Sequence, residues 1–213
     1  MKLELNTEGL AAISPYAAAK DPRFYFMGVC IDVRDDGRVF AVATDGATLA
    51  VYRMPVADMA QAGFLPGRYI LPPDVVKPAL SMHKKAHTIT LDIDTDRADS
   101  ANRPDAWRVT LGNVTGETID GVFPDYRRVV PEKINPDGKP AHLDLELVAR
   151  LGKSAKALGA KPIQVRMFPD GDNVTTCYVA GDVNFLAVIM PLRTSNDLQK
   201  PASTDDLLTD IRS

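Results

Sequence analysis

The stretch Gly121-Val122-Phe123-Pro124-Asp125-Tyr126-Arg127-Arg128-Val129-Val130-Pro131, called here the 121–131 segment, is the most distinctive part of the chain. It holds two prolines, two aromatic residues and two arginines between a predicted strand and a connector rich in proline and glycine. Proline fixes φ and disfavours helical backbone at the residue before it, so Phe123 and Val130 are predicted to be extended. Local composition allows two interpretations: the stiff wall of a groove, or a linker whose aromatic side chains enter the core.

The chain of 213 residues has an ordinary globular composition, with 45% hydrophobic and 25% charged residues. This length predicts one large domain, or one domain and part of a second. The formal net charge of -3 excludes a uniformly basic surface, so nucleic acid would have to be held by a local basic face. Cys30 and Cys177 lie in apolar runs, which favours buried free thiols over a disulfide. No signal-peptide core and no membrane-spanning run is found, so a cytoplasmic protein is expected.

Hydrophobic periodicity predicts the same order of elements three times: a strand, a helix and three further strands, here called a βαβββ module. Thr7 and Asp144 are the predicted N-caps of the first and third helices. The sequence becomes polar after Arg193, which predicts a flexible segment over 194–213. The predicted elements are 2–6, 7–19, 24–33, 39–44 and 48–52 in the first module, 67–71, 72–85, 88–94, 107–113 and 117–121 in the second, and 142–143, 144–158, 163–168, 174–180 and 185–190 in the third.

Basic side chains recur on the second and third predicted helices. In the third helix, Arg150, Lys153 and Lys156 lie almost opposite the apolar face, and Lys77 and Lys84 project away from the apolar face of the second. A solvated basic face is the commoner meaning of such a pattern. The alternative is that both helices turn these side chains towards one polyanion and contact phosphates without reading bases.

The sequence contains no recognisable catalytic motif. His83, His87 and His142 are not spaced with cysteines or carboxylates as metal ligands would be. There is no phosphate-binding P-loop and no Gly-x-Ser-x-Gly nucleophile motif. We therefore expect no enzyme, no catalytic residue, no metal site and no cofactor.

Four stretches together resemble the bacterial replicative sliding clamp, the β subunit of DNA polymerase III. The 121–131 segment matches that family's Gly-x-Phe-Pro-Asp-Tyr-Arg-Arg-Val-x-Pro motif, and residues 42–50 are similar to its Ala-Thr-Asp-Gly-His-Arg-Leu-Ala segment. Residues 23–29 look like the strand that opens the middle domain of a clamp, and residues 188–193 resemble the family's Val-x-Met-Pro-Met-Arg ending. Because the four stretches occur in the family's order, the resemblance favours the groove wall over the linker.

The resemblance implies a shortened clamp homologue with an α+β, DNA-clamp architecture of about one and a half clamp domains. Residues 1–130 resemble a complete middle domain of two modules, residues 131–193 resemble the second half of the last domain, and 194–213 is the polar segment. Family members have three two-module domains and close as a dimer into a ring of twelve modules. Three modules per chain would require four chains for the same ring, with a dimer as another expected assembly. The competing expectation is a monomer in which the third module packs on the second.

The resemblance also implies a groove that captures short peptides of partner proteins. Its arginines would hold a peptide carboxylate or carbonyl. The chain departs from the family at Ala47-Thr48, where clamps have His-Arg, so peptide preference is expected to differ. Asp205-Asp206-Leu207-Leu208 resembles an acidic, hydrophobic clamp-binding peptide, which suggests that the 194–213 segment occludes the groove. The groove residues carried over by the resemblance are Phe26, Thr44, Gly46, Leu49, Pro124, Arg128, Val129, Val188, Met190, Pro191, Leu192 and Arg193.

The expected function is that of a processivity factor, which encircles duplex DNA as an oligomeric ring and tethers a polymerase or another protein with a clamp-binding motif. A clamp loader is a further implied partner. DNA would be contacted non-specifically through Lys77, Lys84, Arg150, Lys153 and Lys156. The alternative is an adaptor without a ring, which keeps the groove and recruits or sequesters clamp-binding proteins.

Overall fold

The computed structural model describes residues 1–55, 65–95 and 106–193. The segment over 194–213, which was predicted to be flexible, and most of the loop between the second module's strands lie outside the described residues. No described helix is both long and apolar enough to cross a membrane.

The described residues form three helices and eleven strands in two antiparallel sheets, which confirms the α+β prediction. The four-stranded sheet has the order β1-β6-β7-β8, and the seven-stranded sheet has the order β5-β2-β3-β4-β11-β10-β9. The elements are β1 (Lys2–Asn6), α1 (Thr7–Ile13), β2 (Val29–Val33), β3 (Val39–Thr44), β4 (Thr48–Met54), β5 (Gly67–Leu71), α2 (Pro73–Met82), β6 (Thr88–Ile93), β7 (Arg108–Leu111), β8 (Val114–Glu117), α3 (Leu145–Ala157), β9 (Val165–Asp170), β10 (Asn173–Val179) and β11 (Phe185–Ile189).

The first two modules exchange their first strands. β1 of the first module pairs with β6 of the second, and β5 of the second module pairs with β2 of the first. Each module therefore completes the other's sheet, and neither sheet can form from one module alone.

The third module joins the first through the last strand of each. β11 pairs antiparallel with β4, from Phe185 opposite Tyr52 to Ile189 opposite Thr48. On the helix side, α3 packs on α1, and the buried Ser154 hydroxyl donates a hydrogen bond of 2.8 Å to the carbonyl oxygen of Ala12. The two modules thus share both a sheet and a helix layer.

The seven-stranded sheet is buried on both faces over its middle strands, which explains why all five residues of β2 are buried. Alternate side chains on one face, such as Ala41 and Ala50, meet the three helices in the main core. Those on the opposite face, such as Val42 and Leu49, form a second cluster with Phe123. The 121–131 segment covers part of that second face.

Several element boundaries differ from the sequence predictions for local reasons. The N-cap of α1 is Asn6, whose Oδ1 accepts from the Gly9 amide at 2.6 Å, and it is not Thr7. The strands predicted over 107–113 and 117–121 are β7 and β8, which end and begin earlier because Gly112 (φ 58°) starts a turn directly after Leu111. Residues 118–121 form no strand. The strand predicted over 24–33 begins with a turn of 3-10 helix at Phe24–Phe26, and no strand is found at 142–143. The prediction of two buried free cysteines is confirmed.

Close packing of α1 on β4 gives a test of the fold. A Cβ atom at Gly9 would overlap the ring of Tyr52, so we expect Gly9→Ala to lower the free energy of unfolding by about 1–3 kcal/mol. Gly152, in α3, is the matched control because a Cβ atom there meets no other atom within 4 Å. Gly152→Ala should raise stability by up to about 1 kcal/mol through helix propensity. Urea unfolding of both variants measures the difference, and a Gly9→Ala protein as stable as the parent would contradict this packing.

Candidate functional site

A groove of about 640 Å³ lies on the face of the seven-stranded sheet that points away from the helices. Its floor is one row of side chains across four strands. Thr44 is opposite Leu49, Leu49 is opposite Val188, and Val188 is opposite Thr176. Because Leu49 belongs to the first module and Val188 to the third, the floor exists only where β4 and β11 pair.

The 121–131 segment forms one wall of this groove, with Pro124, Tyr126, Arg128 and Val129 along it. Phe123 is buried in the cluster beneath, so the segment is anchored by its aromatic residues and also exposes a side to the groove. The two interpretations left open by composition are therefore both partly right.

A buried polar network fixes the position of that wall. The Tyr126 hydroxyl donates to Asp32 Oδ2 at 2.8 Å and accepts from the Arg34 guanidinium at 2.9 Å. Arg68 donates to the carbonyl oxygen of Phe123 at 3.1 Å. Burial raises the pKa of Tyr126, the Arg34 hydrogen bond lowers it and the one to Asp32 raises it, with a net result above the usual range. Tyr126 thus stays protonated and can keep donating to Asp32.

The corner between β3 and β4 closes one end of the groove. Gly46 adopts φ 91° there, and Thr44 Oγ1 donates to the carbonyl oxygen of Thr48 at 2.6 Å. Asp45 Oδ1 accepts from the Thr48 amide at 2.7 Å, and its Oδ2 accepts from Arg150 at 2.6 Å. Arg150 comes from α3, so this ion pair ties the third module to the corner of the first.

The pKa of Asp45 reflects a competition between burial and hydrogen bonding. Burial raises the pKa, whereas hydrogen bonds from the Thr48 backbone and from Arg150 lower it. The hydrogen bonds outweigh burial, so the net pKa is below the usual value. The ionised carboxylate is therefore the form that the folded protein favours.

The connector between the second and third modules and the β9–β10 hairpin line the far end of the groove. The Asn135 side-chain amide donates to Asp170 Oδ1 at 2.9 Å, and the Gly171 amide donates to the carbonyl oxygen of Lys139. Phe168, on β9, adds an aromatic face beside these polar groups. This end is therefore mixed in character, whereas the floor at Leu49 and Val188 is apolar.

The structure brings nine of the twelve predicted groove residues to the lining of this one cavity: Phe26, Thr44, Gly46, Leu49, Pro124, Arg128, Val129, Val188 and Met190. Pro191, Leu192 and Arg193 are not among its lining residues, and Leu192 lies instead at a neighbouring polar cavity. Their part in the groove stays a prediction.

The sequence does not predict the groove residues that the third module and the connector contribute. Val174 and Thr176, on β10, line the groove because they share a face with Val188. Because side chains alternate along a strand, Val174 and Thr176 could have been placed on that face once β10 was known to pair with β11. Asn135 and Asp170 could not have been found in this way, because a loop contact leaves no periodic signal.

The predicted DNA-facing residues fall into two groups. Lys77, Lys153 and Lys156 are exposed on their helices, and Lys84 is exposed just after α2. Arg150 is different, because its guanidinium is mostly buried and bonded to Asp45 and Thr48. The prediction that Arg150 points outward is therefore wrong. Helical periodicity could not predict its ion pair with Asp45.

The described residues hold no cluster of histidine, cysteine and carboxylate side chains that could bind a metal ion. Burial raises the pKa of both thiols above the usual range, to about 12 for Cys177. Neither thiol would be a reactive nucleophile near neutral pH.

The Asp45–Arg150 pair predicts a pH dependence of stability. Asp45→Asn should lower the free energy of unfolding by about 2 kcal/mol near neutral pH, because it leaves Arg150 without its carboxylate. The folded pKa of Asp45 lies below its unfolded value, so this contribution is complete above about pH 4 and is lost as the pH falls through the folded pKa. The difference between parent and variant in urea unfolding should therefore shrink below pH 4.

Asp36 provides the control, because it also pairs with an arginine, Arg38, but on an exposed turn. Asp36→Asn should change stability little, as is usual for exposed pairs. Equal losses for the two variants would mean that burial of the Asp45 pair is irrelevant.

Comparison with curated proteins finds similarity to bacterial β sliding clamps. The chain is 28% identical over 136 residues to the Beta sliding clamp of Caulobacter vibrioides, a match that covers 62% of this chain and 33% of the relative. It is 29% identical over 124 residues to the Beta sliding clamp of Escherichia coli K12, covering 56% of this chain and 29% of the relative. The chain thus spans about a third of the length of these curated relatives. No protein-family model matches the chain.

Solved structures of the same kind share the fold. A DNA polymerase sliding clamp from Pseudomonas aeruginosa superposes with a TM-score of 0.64 at 18% identity, covering 91% of this chain and 67% of that one. The DNA polymerase III subunit beta of Borrelia burgdorferi gives a TM-score of 0.64 at 13% identity, covering 92% and 63%. The chain is thus similar in sequence to the bacterial β sliding clamps, and it has their α+β fold.

Proposed function

We propose that this protein acts as a sliding-clamp-like processivity factor, which encircles duplex DNA as a ring of several copies and tethers partner proteins through the groove. One observation carries the proposal. Four separate stretches of the sequence resemble the clamp family, and residues from all four line the same cavity. Four stretches of a chain come together in this way when the site itself has been retained.

The chemistry of the groove fits an extended peptide with apolar anchors. Leu49 and Val188 give an apolar floor, Met190 is half exposed at the edge, and Arg128 offers a cation at the rim. Burying a leucine or phenylalanine side chain contributes about 1.5–3 kcal/mol, so two anchors can hold a short peptide. The rim then fixes the direction of the peptide through hydrogen bonds to its backbone or to a carboxylate.

Peptide capture predicts a defined effect at Met190. Met190→Ala removes apolar surface at the edge of the groove and should weaken binding of a fluorescein-labelled peptide with leucine and phenylalanine anchors by about tenfold. The control is Met82→Ala on α2, because Met82 is also an exposed methionine (67%, against 46% for Met190) but does not line the groove. Fluorescence anisotropy gives both dissociation constants, and equal affinities would contradict peptide capture in this groove.

Ring formation is supported by the way the modules complete one another. β6 of the second module receives β1, and β2 of the first module receives β5. β9 holds the corresponding position in the third module, but among the described strands it pairs only with β10. Residues 139–143, which precede α3 as β1 and β5 precede their helices, form no strand among the described residues.

A second copy can supply what the third module lacks. Residues 139–143 of each copy would pair with the outer edge of β9 in the other, which no described strand covers, as β1 and β5 pair within one chain. The outer edge of β8 is also unpaired among the described strands, and the β4–β11 pairing shows how two last strands meet in this fold. Two kinds of two-fold contact, at β9 and at β8, would close four chains into a ring of twelve modules.

The exposed lysines are suited to non-specific contact with DNA. Lys77, Lys153 and Lys156 project from the helix layer and form no ion pair with the described residues. Such side chains would replace counterions along the phosphate backbone without reading sequence. Retention on DNA would then come from the closed ring, and tight binding would not be needed in a protein of net charge -3.

The solution mass tests the ring. Light scattering over a range of concentrations should give about 92 kDa, the mass of four chains of 23.1 kDa. The tetramer should remain on closed circular DNA and leave when the circle is cut, because retention by encirclement requires a closed path. A monomer at every concentration that still binds the peptide would overturn the ring and favour the adaptor without a ring.

A further inference from the structure

A second cavity, of about 380 Å³, lies beside the groove on the same face of the seven-stranded sheet. Alternate residues of β4 connect the two sites: Leu49 lines the groove, whereas Val51 and Arg53 line the second cavity. Leu186 lies opposite Val51 across the β4–β11 pair. Tyr126 borders both sites, so the 121–131 segment separates them.

The lining of the second cavity combines apolar and basic side chains and includes no carboxylate. Val183 is 86% exposed at its edge, which is unusual for a large apolar side chain in a concave site. The Arg34 guanidinium stacks on the Phe40 ring at 4.0 Å, so part of its charge faces the cavity over an aromatic surface. The lining residues are Arg34, Phe40, Val51, Arg53, Tyr126, Arg127, Val130, Val183, Asn184 and Leu186.

Positive charge is in excess around this cavity. Asp32 and Asp125 are the carboxylates shared by four arginines: Arg34, Arg68, Arg127 and Arg128. Arg53 bonds only the Asn184 side-chain oxygen, at 3.0 Å, and forms no ion pair with the described residues. Asp182, next to Val183, forms no ion pair with the described residues, and its Oδ1 accepts from the backbone amides of Asn184 and Phe185.

The groove has the opposite balance of charge. Its lining includes three carboxylates and two cations, contributed by Asp125, Asp170, Asp172, Arg128 and Lys133. An acidic, apolar peptide therefore matches the second cavity better than it matches the groove.

The chain itself contains such a peptide beyond the last described residue. The run Asp205-Asp206-Leu207-Leu208-Thr209-Asp210-Ile211 combines three carboxylates with three large apolar side chains. Leu186, in the second cavity, is seven residues before Arg193, so the two are at most about 25 Å apart. The eleven residues 194–204 can extend over about 36 Å, so Asp205 can reach the cavity.

We propose that residues 205–211 dock in the second cavity of their own chain, with leucine side chains against Val51 and Leu186 and carboxylates beside Arg53 and Arg127. This placement differs from occlusion of the groove, and it leaves the groove open. A short connection of this kind gives an effective concentration of about 1 mM, so even weak complementarity keeps the segment bound.

Paramagnetic broadening in the full chain tests this docking. A nitroxide on Thr209→Cys should be selective, because Cys30 and Cys177 are buried. The methyl signals of Val51, Val183 and Leu186 should lose most of their intensity, whereas those of Val174 in the groove should lose little. Selective loss at Val174 instead, or no selective loss, would overturn the proposal.

Charge variants test the stated chemistry. Arg53→Glu should restore the methyl signals, and the double change Asp205→Lys, Asp206→Lys should do so without altering any described residue. Lys153→Glu is the control, because Lys153 is exposed on α3 and does not line the cavity. High salt should also weaken the broadening. Broadening unchanged in the aspartate variant would overturn the proposal even if Arg53→Glu failed to fold.

A mixed sample tests docking within one chain. Isotope-labelled chains without nitroxide are mixed with unlabelled chains that carry it, and the broadening should then disappear. Broadening that persists would overturn docking on the same chain. The sample contains no peptide and no DNA, so these results do not depend on whether the groove binds partners.

Discussion

The pairing of β4 with β11 is the contact on which the rest of the structure depends. It joins the third module to the first, and it places Leu49 beside Val188 to make the floor of the groove. The helix layer supports the same junction, where α3 provides Ser154 to α1 and Arg150 to the Asp45 corner. A loss of this junction would separate the groove into two halves, because each side of its floor comes from a different module.

Sequence periodicity was sufficient for the order of elements, apart from the strand predicted at 142–143, and for the apolar faces of the helices. It identified the three modules because each helix buries one apolar stripe, such as Leu151 and Ala155 in α3. It could not show that β1 pairs with β6, since strand exchange between modules depends on chain topology and changes no local pattern. The end of β7 at Leu111 and the start of β8 at Val114 were misplaced for a related reason, because the turn at Gly112 interrupts a run that still alternates.

The candidate site was anticipated where short motifs pass along the groove and was missed where single loop contacts form it. Proline and aromatic residues marked the 121–131 segment, and their rigidity explains why the wall keeps its shape. Arg150 was assigned to the basic face because helical spacing reports direction only, and it cannot show that a side chain folds back onto a carboxylate 105 residues earlier in the chain. A basic helix face can therefore be interpreted as a DNA-binding surface only after the residues that form ion pairs within the protein have been identified.

The exchange of first strands limits how many modules can have complete sheets. A module whose first strand pairs in another module's sheet needs a strand from that module to complete its own sheet. Modules of this kind therefore form complete sheets in pairs. A chain with an odd number of them always leaves one unmatched, whatever its sequence. If the third module exchanges its first strand with a copy of itself, as proposed above, an even number of copies would complete every module, and a ring of three chains would leave one module unmatched.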